Sequence, residues 1–406
     1  MQYHTIEFPT TQPSAGAFFV VGSLYDYFTR LTDKRKARGR RYPLAIVLVM
    51  TLLAKLAGED EPAGIAHWLA LRKEFLLEAL ALKRPQTPHA VTFSRVLGNA
   101  IEVEELEQAM QEFFCADLHL EALTAVSMDG KVLRGTIPVG QTQGLHLLAL
   151  YLPQHGVVLM QVEVEAHENE ISAAPKVLKS LDLQGKVVTG DAIFAQRGLC
   201  ELVIKSDGEY LWKVKENQAS LREEIKTVFE IEHGKTALKV LANDLQSASS
   251  LDKGHGRIEE RKLCVSSVLR GHREWPGLEQ VFQLERQVYE VTTKKSYGET
   301  HYGITSLSIE QASAAELLSL VRNHWGIENG LHYRRDRSLK EDECRLRVGQ
   351  AARVMAILNN VVIGMVQQAG LTNLPAARRT YDAQPQVALN LLLRSRGCLK
   401  SSGRTT

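Results

Sequence analysis

The chain has 406 residues, of which 44% are hydrophobic and 24% are charged, and its formal net charge at pH 7 is +2. This composition is typical of a globular protein with two or three domains and excludes a disordered or fibrous chain. The net charge is too small to indicate a nucleic-acid partner by itself. None of the five cysteines forms a CxxC pair, which argues against a structural zinc site and is typical of a reduced, intracellular protein.

No segment is typical of a membrane span or a signal peptide. The apolar stretch at residues 44–56 is interrupted by Lys55 and is shorter than the roughly 20 residues that a spanning helix needs. The first twenty residues contain no Lys or Arg, so the basic start of a signal peptide is missing. We therefore predict no membrane partner.

The N-terminal part is predicted to be helical. Residues 1–22 are interpreted as a weakly ordered lead-in, and residues 23–117 carry apolar side chains at spacings of three and four, which predicts an all-helical domain. Residues 33–41 hold six basic residues in nine positions. This run could neutralise DNA phosphates, with a solvated loop as the alternative; its candidate contacts are Arg35, Arg40 and Arg41.

Strands dominate from residue 118. They are predicted at residues 123–128, 145–152, 157–165, 185–191 and 209–215, and a helix follows each of the last three. Three consecutive strands followed by β-α-β crossovers match the ribonuclease H-like α/β architecture. We assign residues 118–370 to this domain, with a mostly β insertion at about residues 235–307, and we interpret residues 371–406 as a basic C-terminal tail. Within the insertion, short strands are predicted at residues 238–241, 261–265, 279–284, 288–292 and 302–307, and residues 247–256 are interpreted as a polar loop.

Two predicted strands are followed by an aspartate. Asp129 follows the first strand and Asp191 the fourth. Alone, each aspartate would more often be a turn or helix-capping residue, but the pair favours a shared site at one edge of the sheet. A helix predicted at residues 313–334 aligns further polar residues with its apolar face at spacings of three and four: His324, Glu328, His332 and Arg335.

Three carboxylates at one point suit Mg²⁺, which prefers oxygen ligands, with Mn²⁺ as a substitute. Two such ions, roughly 3.5–4 Å apart, can activate an attacking water and stabilise a leaving oxygen. We expect Asp129 to bridge both ions, Asp191 to bind one and Glu328 the other. Histidine ligation is disfavoured for Mg²⁺, so we expect His324 and His332 to contact DNA phosphate or to orient the glutamate.

Eight ordered segments carry a family resemblance: residues 41–44 (RYPL), 92–96 (TFSRV), 128–135 (MDGKVLRG), 168–171 (ENEI), 189–192 (TGDA), 215–218 (KENQ), 255–261 (HGRIEER) and 323–333 (NHWGIENGLHY). With residues 337–347, which continue the match, they cover roughly residues 25–365. Together they resemble the DDE transposases of bacterial insertion sequences, and within them the H-repeat-associated, ISAs-type family.

The resemblance implies that Asp129, Asp191 and Glu328 are the catalytic triad and that the β region is the insertion that such transposases carry before their glutamate. The broader superfamily often has a Tyr, an Arg and a Lys around the glutamate. This chain has Val321, His324 and Arg335 at those positions. We expect Arg335 to take over the phosphate contact of the lysine.

Basic and amide side chains near the two aspartates are further candidate DNA contacts, since such groups bind the phosphate backbone. Lys131 and Arg134 follow the first aspartate, and Lys215 and Asn217 follow the fifth strand. Solvated surface charge is the alternative for the basic residues, and capping of the next helix is the alternative for Asn217.

The predicted function is transposition. A helical domain would recognise the terminal repeats of the element, and the catalytic domain would cleave double-stranded DNA at the element ends and transfer them to target DNA. We expect a homodimer, because two ends must be brought together, in the bacterial cytoplasm at the nucleoid. Two alternatives remain open: a metal-dependent nuclease that does not transpose, and an inactive DNA-binding relic.

Overall fold

The computed structural model describes residues 21–116, 118, 121–233, 244–254, 256–272 and 274–393. These residues form two compact units. The first contains Met1–Ala109 as far as it is described, Leu346–Met355 and the chain from residue 375 onwards; the second contains Met110–Arg345 and Ala356–Leu374. The predicted lead-in lies outside the described residues except for its last two positions. No helix within the described ranges is both long enough and apolar enough to cross a membrane.

The first unit is helical, as its apolar periodicity predicts. Its core is helix α2, in which every residue is buried, and α2 packs against α1, α3, α5 and α13. Burial on all sides explains why α2 reads as a continuous apolar run. The helices before the first strand are α1 (Leu24–Thr29), α2 (Leu44–Leu56), α3 (Pro62–Leu71), α4 (Lys73–Ala79), α5 (Ala90–Asn99) and α6 (Val103–Cys115).

The prediction of a basic C-terminal tail is wrong for the described residues up to 393. They form helices α12 (Leu374–Ala383) and α13 (Pro385–Leu393). Apolar side chains at helical spacing, among them Tyr381 and Leu389, are buried there. The basic residues Arg378 and Arg379 of α12 obscured this spacing in the sequence, and Arg378 is itself buried. Residues 394–406 lie outside the described part.

The second unit is built on one nine-stranded sheet of order β3-β2-β1-β4-β5-β9-β8-β7-β6. Strands β1, β4 and β5 are parallel, whereas the β1–β2 and β2–β3 pairs are antiparallel, as the predicted meander requires. The strands are β1 (Thr124–Leu133), β2 (Leu145–Leu152), β3 (Val157–Val164), β4 (Lys186–Gly190), β5 (Glu209–Val214), β6 (Gln246–Gly254), β7 (Arg257–Ser266), β8 (Gln280–Glu290) and β9 (Lys295–Thr305).

Helices cover both faces of this sheet. Helix α7 packs on β2 and β3 and α8 on β5, while α10 packs on β1 and β4 from the opposite face. A core of apolar side chains lies between α10 and the sheet, with Leu317 and Val321 facing Ala125 and Val187. The helices of this part are α7 (Glu170–Leu178), α8 (Arg197–Lys205), α9 (Ala219–His233), α10 (Ala314–His324) and α11 (Ala351–Gln368), the last of which begins in the first unit.

The predicted β insertion continues the main sheet, because β9 pairs antiparallel with β5. Residues 247–256, interpreted from their polarity as a loop, largely belong to strand β6, and two predicted short strands merge into β8. The burial of β6 alternates weakly along small polar residues, so its apolar signal was too faint to detect. A strand predicted at residues 238–241 lies outside the described residues.

A buried ion cluster in the helical unit provides a test of its packing. The Nζ atom of Lys55 lies 3.1 Å from Oδ1 of Asp60, and Nη2 of Arg378 lies 2.7 Å from Oδ2. Asp60→Asn would leave two buried cations without their counter-charge. We expect it to lower the free energy of unfolding by about 3–5 kcal/mol in urea titrations followed by circular dichroism.

The matched control is Glu201→Gln, which removes one partner of the exposed Lys205–Glu201 pair. Exposed ion pairs contribute little, so this variant should unfold at the wild-type urea concentration. Equal effects of the two substitutions would contradict a stabilising role for the buried cluster.

Candidate active site

The candidate site lies on the face of the sheet that α10 covers. Because side chains alternate along a strand, Asp129 lies on the same face of β1 as Ser127. The parallel pairing of β1 with β4 ends at Met128 and Gly190, immediately before Asp129 and Asp191. The two aspartates therefore occupy equivalent positions on neighbouring strands.

The sequence predicted that the first strand ends just before Asp129, but strand β1 continues past this residue. It continues to Leu133 because β2 pairs with it along that whole length. Asp129 is thus a mid-strand residue with a strand on one side only, since β4 has already ended. The following Gly130 faces the opposite side of the sheet.

Asp129 is bound by a histidine. The Nε2 atom of His332 lies 3.1 Å from Oδ2 of Asp129. The His332 side chain is only 9% exposed, whereas that of Asp129 is 22% exposed. One oxygen of the first predicted metal ligand is therefore already engaged by a buried ring.

Asp191 lies between two lysines. The Nζ atom of Lys213 is 3.2 Å from its Oδ1, and that of Lys215 is 3.5 Å from its Oδ2. Burial of the carboxyl would raise its pKa, but the two positive charges outweigh burial and hold the pKa of Asp191 below its usual value. Asp191 is consequently ionised at neutral pH.

The turn after Asp191 is held by the segment that follows β5. The side-chain amide of Asn217 donates to the carbonyl of Ala192 at 2.6 Å, and that of Gln218 donates to the carbonyl of Ala195 at 2.9 Å. Asn217 therefore has an internal role in this turn, and its DNA contact stays a prediction.

His324 lies beneath both aspartates and is buried. Its Nδ1 is 3.2 Å from the hydroxyl of Thr189, which in turn donates to the hydroxyl of Ser127. Burial, followed by the charge of Lys213, lowers the pKa of His324 to about 4 against the opposite effect of the aspartates. The ring is therefore buried and neutral, which disfavours the first of its two predicted roles, a contact with DNA phosphate.

Glu328 does not join the aspartates in this structure. Helix α10 ends at His324, and the chain then forms two π-helical turns, Glu328–His332 and Arg334–Ser338. Since a π turn holds more residues than an α turn, the predicted spacing of three and four no longer aligns the side chains. Glu328 is exposed, whereas His332 and Arg335 are buried.

The donor set suits Mg²⁺ chemically, because it consists of three carboxylates. The arrangement of these carboxylates does not suit a metal ion. Among the described residues, no three or more His, Cys, Asp or Glu side chains are grouped so that they could hold one. Asp129 and Asp191 follow paired residues of neighbouring strands, whereas Glu328 is exposed. The catalytic role of the three remains a prediction.

The candidate DNA contacts of this unit divide by exposure. Arg134 and Lys215 have side chains that are 80% and 54% exposed. Lys131 is only 10% exposed, and its Nζ lies 2.7 Å from Asp336. Arg335 is fully buried, with Nε 2.7 Å from Glu341, so its predicted phosphate contact is not available in this structure.

The basic run of the helical unit is partly structural. Arg35 pairs with Asp33 at 2.8 Å and donates to the carbonyl of Tyr42. Arg40 donates to backbone carbonyls of the same loop but keeps about half of its side chain exposed. Arg41 is exposed. Exposure therefore favours Arg40 and Arg41 over Arg35 as DNA contacts.

A histidine–glutamate pair that was not predicted from the sequence lies beside Asp129. Nε2 of His146 lies 2.9 Å from Glu170, and the Glu170 carboxylate occupies the space that a Cβ atom at position 130 would need. Any larger residue at position 130, next to Asp129, would therefore have to displace the Glu170 carboxylate. The available signal was Glu170 in the segment at residues 168–171, which belongs to the family resemblance.

Trp325 also connects the site to the β extension. Nζ of Lys213 lies 5.3 Å from the centre of its ring and Cζ of Arg286 lies 4.9 Å from it, both within cation–π range. The ring therefore packs against the lysine that holds Asp191.

Removing Lys213 should reverse the pKa shift of Asp191. In Lys213→Met the effect of burial remains while the larger of the two positive contributions is lost, so the Asp191 pKa should rise. Carboxyl carbon NMR titrations of metal-free protein measure this. In the wild type, ionised Asp191 stabilises the fold above the unfolded-state pKa, and this contribution disappears as the pH falls through the lower folded-state pKa.

The matched control is Lys205→Met, an exposed lysine on α8 paired with Glu201. It should leave the Asp191 titration unchanged. An Asp191 pKa that is the same in Lys213→Met and in the wild type would show that the lysine does not control this carboxylate.

Comparison with known proteins identifies the family. The family described as Transposase DDE domain matches residues 123–365, and a family described as DDE_Tnp_1-associated matches residues 25–114. The Escherichia coli O157:H7 protein named "Putative transposase YncI" is 29% identical over 86% of this chain and 88% of its own length. The Escherichia coli K12 protein named "H repeat-associated putative transposase YhhI" is 26% identical over 84% of this chain and 90% of its own.

A solved structure of the piggyBac transposase in a synaptic complex with hairpin DNA aligns with 95% of this chain and 81% of that chain, at 10% identity and a TM-score of 0.44. The family assignment depends instead on the DDE domain, whose match spans more than half of the chain. The protein is a member of the DDE transposase family, with H-repeat-associated transposases among its relatives.

Proposed function

We propose that the protein cleaves DNA at the ends of an insertion sequence and joins the freed ends to target DNA. The observation that carries this proposal is the pair Asp129 and Asp191, at equivalent positions on neighbouring parallel strands and on one face of the sheet. Together with family membership, this pair supports a site for phosphodiester chemistry. We assign the same role to Glu328 as the third carboxylate.

The proposed fold class of the second unit is ribonuclease H-like. The order β3-β2-β1-β4-β5, with three antiparallel strands followed by two parallel ones, supports it. Strands β6–β9 would then be an insertion that extends the sheet before the helix leading to Glu328. The proposed domain limits are residues 23–117 and 118–370. After residue 370, helices α12 and α13 replace the basic tail that was predicted there.

Divalent metal, Mg²⁺ or Mn²⁺, is the proposed cofactor, held as two ions by Asp129, Asp191 and Glu328. When bound, such ions activate the attacking oxygen and stabilise the leaving one. The chain's own residues prepare this site: the lysines keep Asp191 ionised, and Asn217 fixes the turn that carries it.

The proposed partner is double-stranded DNA, both as element ends and as target. Arg134 and Lys215 are exposed near the two aspartates and can bind phosphates there. In the helical unit, Arg40 and Arg41 can contribute further contacts at the terminal repeats. We propose a homodimer on DNA, acting in the bacterial cytoplasm, because joining requires two ends to be held together.

A cleavage and joining assay tests this function. Wild-type protein with Mg²⁺ should nick a duplex that carries the element's own ends and transfer the 3′ end to target DNA. Asp129→Asn should reduce cleavage below detection and leave duplex binding unchanged, because it removes a ligand charge and preserves the side-chain shape.

Asp207→Asn is the matched control, since Asp207 is an exposed turn residue of the same unit. It should cleave like the wild type. Cleavage without joining would indicate a nuclease that does not transpose. Binding without cleavage under Mg²⁺ or Mn²⁺ would indicate a DNA-binding relic, and full cleavage by Asp129→Asn would refute the site assignment.

Salt dependence tests the phosphate contacts separately. Each lost contact should reduce the slope of log affinity against log salt by about 0.9. We expect this reduction for Lys215→Gln and for Arg41→Gln in fluorescence anisotropy titrations of a duplex. Lys205→Gln, an exposed lysine on α8, should keep the wild-type slope. Unchanged slopes in the first two variants would remove those residues from the interface.

A further inference from the structure

We propose that His332 competes with metal for Asp129 and that the segment Glu328–Ser338 must change its helical register before the acidic site can form. This inference rests on the proposed function, since it concerns the same three carboxylates. The segment would have two states: the observed one, with His332 on Asp129 and Glu328 exposed, and one in which Glu328 takes the place of His332.

The first observation is the contact at Asp129. Oδ2 of Asp129, one of the two oxygens that could hold metal, lies 3.1 Å from Nε2 of His332. The N–H group directs its positive end at that oxygen and repels an approaching cation. A metal ion that approaches Oδ2 would therefore compete with the His332 ring for that oxygen.

The second observation is the geometry of the segment. Two π-helical turns follow each other, from Glu328 to His332 and from Arg334 to Ser338. Each holds about one residue more than an α turn, and π turns are frequent at functional sites. Converting one of them to α-helix rotates the residues on its two sides relative to each other by about 100°. That rotation is large enough to exchange a buried position for an exposed one.

The third observation is the packing beneath the segment. Nδ1 of His332, Nη2 of Arg335 and the Oδ1 atoms of Asn359 and Asn360 are buried side-chain atoms without a hydrogen-bond partner. Buried polar atoms are almost always hydrogen-bonded, and leaving them unpaired costs free energy. The buried side of the segment therefore offers hydrogen-bonding groups to a second register.

The second π turn also contains Asp336, which pairs with Lys131 of β1, a lysine that could bind phosphate. Asp336 lies 2.7 Å from Nζ of Lys131, and Asp342 lies 3.7 Å from it. A change of register that moves Asp336 would remove the shorter of these two contacts and leave Lys131, on the same face of β1 as Asp129, with Asp342 alone. The same movement would therefore build the acidic site and expose a cation for the DNA backbone, which couples DNA binding to metal binding.

Mn²⁺ titration of the DNA-free, full-length protein, followed by electron paramagnetic resonance, tests this inference. His332→Ala should bind Mn²⁺ about ten-fold more tightly than the wild type, because a competing hydrogen bond is removed. Adding Asp129→Asn to that variant should abolish the gain. Glu328→Gln should change the DNA-free affinity less than two-fold, since Glu328 is outside the site in this state.

A second measurement uses the wild-type protein and needs no substitution. Hydrogen exchange of residues 328–338 should change when Mn²⁺ and a duplex are added together, while the amides of α10 keep their protection. This result keeps the inference testable if His332→Ala unfolds, which thermal melting would reveal.

The outcomes separate this inference from the proposed function. An unchanged or weaker Mn²⁺ affinity of folded His332→Ala would overturn the competition and leave His332 as a residue that positions Asp129. Unaltered exchange in residues 328–338 would overturn the change of register. If both results are as expected but the wild type never cleaves DNA, the transposase proposal fails and the competition stands.

Discussion

The parallel pairing of β1 with β4 is the constraint on which the candidate site depends. It ends at Met128 and Gly190, so the next residue on each strand, Asp129 or Asp191, emerges at the same edge and on the same face. Neither aspartate could be moved by one position without turning its side chain to the other face of the sheet. Gly130 faces the opposite side of the sheet, where the Glu170 carboxylate occupies the space that a side chain at this position would need.

Neighbouring basic side chains then engage each of the two carboxylates. Asp191 is stabilised by two lysines, of which Lys213 also packs against the ring of Trp325. Asp129 is engaged by a histidine instead. Metal ions could provide the same neutralisation for both. The present contacts can therefore be understood as protein groups that occupy positions which cations would otherwise take.

The extension β6–β9 shows how a region of weak sequence signal joins the main sheet. Strand β5 offers a free edge, and β9 pairs with it through four residue pairs, Leu211–Val214 with Tyr302–Thr305. Backbone hydrogen bonding of this kind does not need an apolar pattern, which explains why polar β6 was interpreted as a loop. Similarly, the helices near the C-terminus became apparent only through the burial of residues such as Tyr381.

The sequence by itself determined the family, the helical first unit, the order of the first five strands and the placement of Asp129 and Asp191 at equivalent strand positions. Those features follow from local apolar periodicity and ordered motifs, which are properties of neighbouring residues. Only the tertiary structure decided that Glu328 is exposed while His332 binds Asp129, that Lys131 and Arg335 are paired internally, and that the insertion extends the main sheet. These outcomes depend on helical register, burial and contacts between residues far apart in the chain. A spacing of three and four predicts which side chains share a face of an α-helix, but this segment is π-helical.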